Sequence, residues 1–361
     1  MTTWVNNRHL EDWAGVDGIY LTYSATVTRI GNKVKVSGQT VSWHKQGYGS
    51  ASGYTYALYL DKYVNGWQRV QTVFSGTMTF GYYDYPTYNW YPADFEFDVN
   101  SGTNSQTFRF INSDGDGVIE FSIKFPSGGN FSSITPGTDR FTVTGGISSF
   151  GDPNTGYVEL IILESAYNAG GIPQYYVRLG DNVRSDTATL DHTKTPANNP
   201  QFMVLPNRRY YLGIYAVSSN SDYRYDGGAV YTLAPAPTVE FVKVSNKNAL
   251  FNYSLVADGG ALDKTLEYSL DEGVTWVTVA TFSGTSARTG TFTISDLAYG
   301  DYVLKTRIRT TAGTNNAPDI EFSTGSINGV GPGGVRITGA LGSVGGVATR
   351  INKIISYKET I

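Results

Sequence analysis

The stretch NSDGDG at positions 112–117 sets oxygen ligands at alternate places: Asn112, Asp114 and Asp116, with Gly117 at a sharp turn. Side-chain oxygens at every second position of a glycine-hinged loop are how a calcium loop begins to surround its ion. The twelfth position, where such a loop places a bidentate glutamate, is Ile123, and the flanks TFRFI and VIEFSI alternate like strands. Two readings stand side by side: a tight hairpin turn, and a Ca²⁺ site with Asn112, Asp114 and Asp116 as its ligands. Ligand count favours the turn. Apart from this calcium candidate, no cofactor is expected.

The three histidines, His9, His44 and His192, show no metal-ligand spacing. Serine is abundant, but no nucleophile elbow accompanies it, and a triad would need one of these isolated histidines beside a serine and a carboxylate. Paired carboxylates for glycoside hydrolysis are defined by distance in space, not along the chain. We therefore expect no enzyme and assign no catalytic residue; a glycan-cleaving enzyme is the least favoured reading.

A different kind of chemistry is offered by FGYYDYPTYNWYPADF, residues 80–95. Tyr82, Tyr83, Tyr85, Tyr88, Trp90 and Tyr91 together carry on the order of 900–1,500 Å² of ring-bearing surface. If a third of that faced water, it would rival the largest apolar patch of a typical monomer. Pro86 and Pro92 argue against a regular central strand, so the segment reads as a long connection between TMTF and FEFDV. It is a self-packed lid, an interface with a neighbouring subunit, or a platform for a sugar or receptor. Both contact readings imply that removing the Tyr88 and Trp90 rings leaves the fold intact.

These residues must be held by strands. Only 16% of the 361 residues are charged, whereas Gly numbers 42 and Tyr 27, a balance that suits strands and turns. Alternation of period two recurs in VKVSG, FEFDV, FRFI and TFTISD. The formal net charge of −4 comes with no basic stripe, which argues against nucleic acid as a partner. There is no cysteine, hence no disulfide framework and no thiolate metal site. The opening MTTWVNNRHLEDWAGVDG has no basic n-region and no apolar h-region, and no run of ~18 apolar residues follows, so neither signal-peptide export nor membrane insertion is expected.

Two breaks, PSGGNFSSITPGT and APAPT, divide the chain into an aromatic-rich β-sandwich at 1–128, a second sandwich at 139–234 and a third at 239–325. A glycine-rich arm and terminal strand follow at 326–361; RINKIISYKETI has no obvious strand partner within that tail. It either folds back or adds to a sheet edge of another subunit. Seven short runs fill the third segment, from TVEFVKV to DIEFSTG, the rhythm of an immunoglobulin-like sandwich. The expected fold is all-β, with three such modules in tandem.

LEYSLDEGVTW followed by LAYGDYVLKTRIRTTAG resembles the Ig-like and fibronectin type III modules of bacterial and phage surface proteins. By that resemblance Tyr302 is the tyrosine-corner residue, and in LPNRRYYLGIYAV Tyr210 is its counterpart. The first segment, through IYLTYSATVTRIGNKVKVSGQTVSWHKQGYGS and QTFRFINSDGDGVIEFSI, resembles β-sandwich segments of tail proteins from Gram-positive tailed phages. The resemblance implies a virion structural protein of the tail or its host-facing end, assembled in the host cytoplasm. Its partners would be copies of itself and other virion proteins, and a host-surface glycan is a further candidate. The alternative is a bacterial surface or secreted protein that binds carbohydrate or adheres, located outside the cell.

Overall fold

A computed structural model describes residues 2–13, 16–151, 155–191, 202–219, 221–245, 247–325, 335–344 and 347–356. The backbone alone is described for residues 12, 13, 16, 17, 335–344 and 347–356. His192 and the glycine-rich stretch 326–334 lie outside the described residues. Among those described, everything regular is strand except one short 3-10 turn, and no helix is long and apolar enough to cross a membrane.

The chain forms two compact units: Met1–Val204 with Arg209–Thr232, and Leu205–Arg208 with Leu233–Ile361. In the first unit, strands β1 (Thr2–Trp13), β2 (Val16–Ile30), β3 (Lys33–Lys45), β4 (Ala51–Tyr63), β5 (Trp67–Phe80), β6 (Thr87–Trp90), β7 (Phe95–Asp98), β8 (Ser105–Asn112) and β9 (Val118–Lys124) build a sandwich. One sheet holds β1, β2, β3, β6 and β7, and the other runs β5-β4-β8-β9. Strand β3 shows how side-chain alternation sets the layers. Val34 and Val36 point inward, and so do Val41, Trp43 and Lys45, which have the opposite parity. The change occurs at Gly38 (φ 57°), where the pairing with β2 slips by one residue between Ser24 and Thr26. A bulge built on a left-handed glycine inserts the extra residue and keeps the second apolar row facing the core.

The same unit continues with β10 (Asn130–Pro136), β11 (Arg140–Gly146), β12 (Gly156–Leu163), the 3-10 turn η1 (Tyr167–Ala169), β13 (Pro173–Asp181), β14 (Ser185–Asp191), β15 (Arg209–Ser218) and β16 (Ser221–Tyr231). Sheet β10-β11-β14 faces β13-β12-β15-β16 across a core that includes Phe141, Leu160, Leu190, Leu212 and Ile214. Here the structure departs from the expected division at residues 129–138. Strand β16 pairs in parallel with β2, from Ser221 opposite Val27 to Arg224 opposite Ile30, so the first two sandwiches share one nine-stranded sheet. Segments 1–128 and 139–234, expected as separate modules, are therefore one compact unit.

The second unit contains β17 (Thr238–Ser245), β18 (Asn248–Leu255), β19 (Lys264–Ser269), β20 (Val277–Phe282), β21 (Arg288–Ile294), β22 (Asp301–Thr310), β23 (Gly313–Asn316) and β24 (Ile320–Ser323). Sheet β17-β18-β21 and sheet β20-β19-β22-β23, with β24 also on β22, repeat the connectivity of the second sandwich. Both are immunoglobulin-like sandwiches of the fibronectin type III kind. Near the start of β22 the Tyr302 hydroxyl donates to the Ala298 carbonyl at 2.9 Å, and near the start of β15 the Tyr210 hydroxyl donates to Met203 at 3.4 Å. Buried charges in the second unit are paired: Lys264 and Asp258 meet at 3.0 Å, and Glu267 receives Arg307 at 2.7 Å and Arg309 at 2.8 Å. The tail differs from its expectation. Its last strand, β26 (Val347–Ser356), pairs antiparallel with β25 (Val335–Val344), because apolar runs on either side of a glycine pair close into a hairpin.

Strand β2 sends Ile19, Leu21, Tyr23, Ala25 and Val27 into the core, and the next inward position is Arg29, which is fully buried. Its five N–H groups all find carbonyls: Nε donates to Gly31, Nη1 to Thr103 and Pro126, and Nη2 to Asn100 and Ser101, at 2.5–3.3 Å. The guanidinium carbon lies 5.4 Å from the centre of the Phe125 ring and 4.8 Å from that of Tyr223 on β16. Arg29→Met is expected to lower unfolding stability by about 3–5 kcal/mol, since it strands several buried carbonyls. Arg29→Lys recovers little of this, as a point ammonium cannot serve five diverging acceptors. Urea denaturation measures both variants, and a loss below ~1 kcal/mol for Arg29→Met would contradict the assignment.

Candidate contact surface

The tyrosine segment is not one continuous connection. Residues 81–86 form a turn closed by Asp84, whose N–H donates to the Gly81 carbonyl (3.1 Å) and whose carboxylate accepts the Gly81 N–H (2.5 Å). Thr87–Trp90 then makes edge strand β6 on β3, with Tyr88 opposite Trp43 and Trp90 opposite Val41. Pro86 and Pro92 stand just outside this four-residue strand, where their missing N–H costs nothing.

Strand β6 turns two of the six aromatics inward. Tyr88 packs on Trp43 at 5.5 Å, and Trp90 stacks on Phe74 at 4.6 Å with planes 18° apart. Both are half-buried against the first core, so these two are not part of an outward contact surface. Tyr82, Tyr83, Tyr85 and Tyr91 are exposed, at 52, 73, 54 and 76%. Tyr48, from the loop after β3, joins them: its ring stacks on Tyr82 (5.8 Å) and meets Tyr83 edge-on (6.1 Å). Sequence reasoning missed Tyr48 because it lies 34 residues before Tyr82 along the chain.

The turn is held from beneath by Lys45, the last inward residue of β3 and 2% exposed. Its ammonium donates to the Tyr82 and Asp84 carbonyls at 3.0 and 2.8 Å, and lies 5.6 Å from the Phe80 ring centre and 5.2 Å from that of Tyr85. A buried cation bound to loop carbonyls fixes the turn's backbone, which leaves the rings preorganised outside.

Asn112 of the calcium candidate is engaged in the β8–β9 hairpin. Its Oδ1 accepts the N–H groups of Gly115 (2.8 Å) and Gly117 (3.2 Å), and its Nδ2 donates to Glu11. Asp114 accepts Tyr54 Oη at 2.7 Å. Among the described residues, no group of three or more His, Cys, Asp or Glu is arranged to hold a metal ion; Asp116 acts on Glu11 only through its charge. Glu11 is buried and also accepts Tyr56 Oη at 3.2 Å. Burial, reinforced by the charges of Asp114 and Asp116, pushes its pKa up to about 7 against the opposing Tyr56 and Asn112 bonds. Nothing local marks Glu11 in the sequence, since its partners lie on β4 and β8. His9 and His44 flank the Tyr20 ring at 5.3 and 5.9 Å.

A second feature lies on the outer face of sheet β13-β12-β15-β16: a hollow of about 400 Å³ lined by Glu159, Tyr167, Ile172, Tyr176, Tyr215 and Arg224 among others. It too escaped sequence reasoning, for its residues come from four strands and one turn. The visible signal is outward Tyr and Glu at alternate places in GYVELIIL and YYLGIYAV.

A scan of protein families finds no match for this chain, and a search of curated proteins finds none either. Among solved structures it is similar to the FN1-FN3 domains of chicken CNTN1, at 13% identity over 84% of this chain and 98% of that one, with TM-score 0.27. It is also similar to red sea bream transglutaminase, at 8% identity over 54% of this chain and 31% of that one, with TM-score 0.24. Strand order, not these scores, carries the fold.

Two outcomes follow from this geometry. Because Tyr88 and Trp90 pack inward, replacing both with Ala is expected to cost about 2–4 kcal/mol in denaturant unfolding, contrary to the two contact readings of the sequence and in keeping with the self-packed lid for these two rings. Glu11 has a raised folded pKa, so its contribution is fully present below about 4.5 and disappears as pH climbs to about 7. Wild type should therefore lose up to about 3 kcal/mol relative to Glu11→Gln between those pH values. A pH-independent difference between the two melting curves would refute the shift.

Proposed function

We propose that this protein is a non-enzymatic structural and adhesive protein that works by pressing the tyrosine turn of its first sandwich onto another macromolecular surface. The observation that carries the proposal is the exposed cluster of Tyr48, Tyr82, Tyr83 and Tyr85 on a backbone fixed by buried Lys45. At their observed exposures these four rings present on the order of 450 Å², the scale of the largest patch on a typical monomer, which is commonly functional. Tyrosine suits this role because it adds large contact area at a small cost in side-chain entropy and keeps a hydroxyl for hydrogen bonding.

The setting we propose is a tailed-phage particle, in the tail or its host-facing end, where copies of the chain and other virion proteins are its partners. Support comes from the resemblance of the first segment to phage tail sandwiches and from fibronectin type III-like modules in tandem behind it. The first contact we assign to the turn is with a second copy of this chain.

Light scattering on the full-length protein tests this reading. Wild type is expected to self-associate, and Tyr82→Ala combined with Tyr83→Ala is expected to shift it to monomer with an unchanged melting temperature, since both rings are outside the core. A monomeric wild type, or an oligomer indifferent to the double substitution, would remove the turn as the self-contact.

A further inference from the structure

The hollow on the second sandwich is a built site. Its floor is the middle of a sheet: Glu159 and Ile161 on β12, and Tyr215 on β15 directly opposite Glu159. Its wall is the β12–β13 connection, folded down so that the Tyr167 ring lies on Gly213, where a Cβ would approach that ring to 2.6 Å. Asp226 clamps the wall by accepting the N–H groups of Tyr167 (2.6 Å) and Asn168 (3.2 Å). Arg224 closes the far side, its guanidinium 5.9 Å from the Tyr167 ring and 5.8 Å from Tyr215.

Two polar groups in this hollow are left over by the fold. The Tyr167 hydroxyl is buried and has no hydrogen-bond partner among the described residues, although the residue is only 7% exposed. Buried polar atoms are almost always satisfied, so this orphan marks a part of the wall whose polar pairing the fold leaves incomplete. Glu159 makes no hydrogen bond to the described residues; burial raises its pKa, and Arg178 opposes this through its charge alone.

The charge balance narrows the ligand. A cation would meet Arg224 and an anion would meet Glu159, so the pair favours a neutral molecule rich in groups that both donate and accept. Tyr167, Tyr176 and Tyr215 supply ring surface for a flat apolar face. A peptide strand would need a free sheet edge for its backbone, whereas this floor is made of strands already paired on both sides. The volume lies within the ~300–1,000 Å³ of small-molecule sites. We propose that this hollow binds one sugar ring of a neutral glycan, with Glu159 accepting from sugar hydroxyls, Arg224 donating to them, and the tyrosine rings packing on the ring's apolar face. The site lies in a different sandwich from the tyrosine turn and stands independently of the function proposed for that turn.

Saturation-transfer NMR on the full-length protein with D-glucose, D-galactose and N-acetyl-D-glucosamine tests the proposal, with tetramethylammonium and inorganic phosphate as charged rivals. At least one sugar is expected to bind saturably. Its affinity should fall about tenfold in Glu159→Gln and in Tyr215→Ala, and stay unchanged when Tyr82 and Tyr83 are both replaced with Ala. Glu159→Gln keeps the side-chain shape and removes a half-buried charge, so it remains a valid readout even if Tyr215→Ala unfolds. No saturable signal from any of the three sugars, equal binding by Glu159→Gln, or tighter binding of either charged rival overturns the assignment.

Discussion

The guanidinium of Arg29 must find acceptors for five N–H groups away from water, and much of the first unit is arranged around that need. Among the described residues no carboxylate answers it. Carbonyls do, from the β7–β8 connection (Asn100, Ser101, Thr103), from Pro126 after β9, and from Gly31 in the turn after β2. Each of these segments must arrive with its carbonyl aimed inward, so one side chain dictates the paths of three connections. Because the Tyr223 ring of β16 covers the same cation, the second sandwich is drawn onto the first at that point.

Lys45 repeats the device at the end of another inward row. In both places a strand delivers apolar residues to the core and then a cation to the sandwich end, where loop carbonyls converge on it. Elsewhere buried charge is paired instead: Asp61 of the first unit lies between Arg69 and Arg109, and in the second unit Lys264 meets Asp258 and Glu267 lies between two arginines. An ion pair ties two side chains together, whereas a cation among carbonyls orders a main chain. The latter is what a loop needs if its side chains are to stay free for a partner.

Much of the all-β architecture was legible because alternation is a local signal. FRFI, ALFNYSLV and TFTISD each show their inward face within a few residues, and Gly38 accounts for the one change of parity in β3. The inward turn of Tyr88 and Trp90 was not legible, because a four-residue strand bracketed by prolines looks like loop until its partner is known. Arg29 could be noticed as a charge in an apolar row, but its five acceptors are scattered from Gly31 to Pro126. The parallel pairing of β2 with β16 leaves no local mark at all, since four residue pairs join segments from opposite ends of the unit. The hollow was hidden for the same reason: Glu159, Tyr167, Tyr215 and Arg224 become neighbours only once β12, β15 and β16 are side by side.

That parallel pairing also bears on how the chain is made. Residues 27–30 lie beyond the part of β2 that β1 covers, and their other neighbour, β16, begins at Ser221. Thr28 and its hydrogen-bond partner Asp222 are 194 residues apart. From the end of β9 at Lys124 to Ser221 is 97 residues, so at ~5–20 residues per second a ribosome takes roughly 5–20 s to supply the missing strand. Throughout that interval the nascent first sandwich carries an open sheet edge, the kind of template that recruits strands from other chains. A neighbouring nascent chain on the same message would carry the same open edge, so crowding on the polysome becomes a hazard that the completed protein no longer shows.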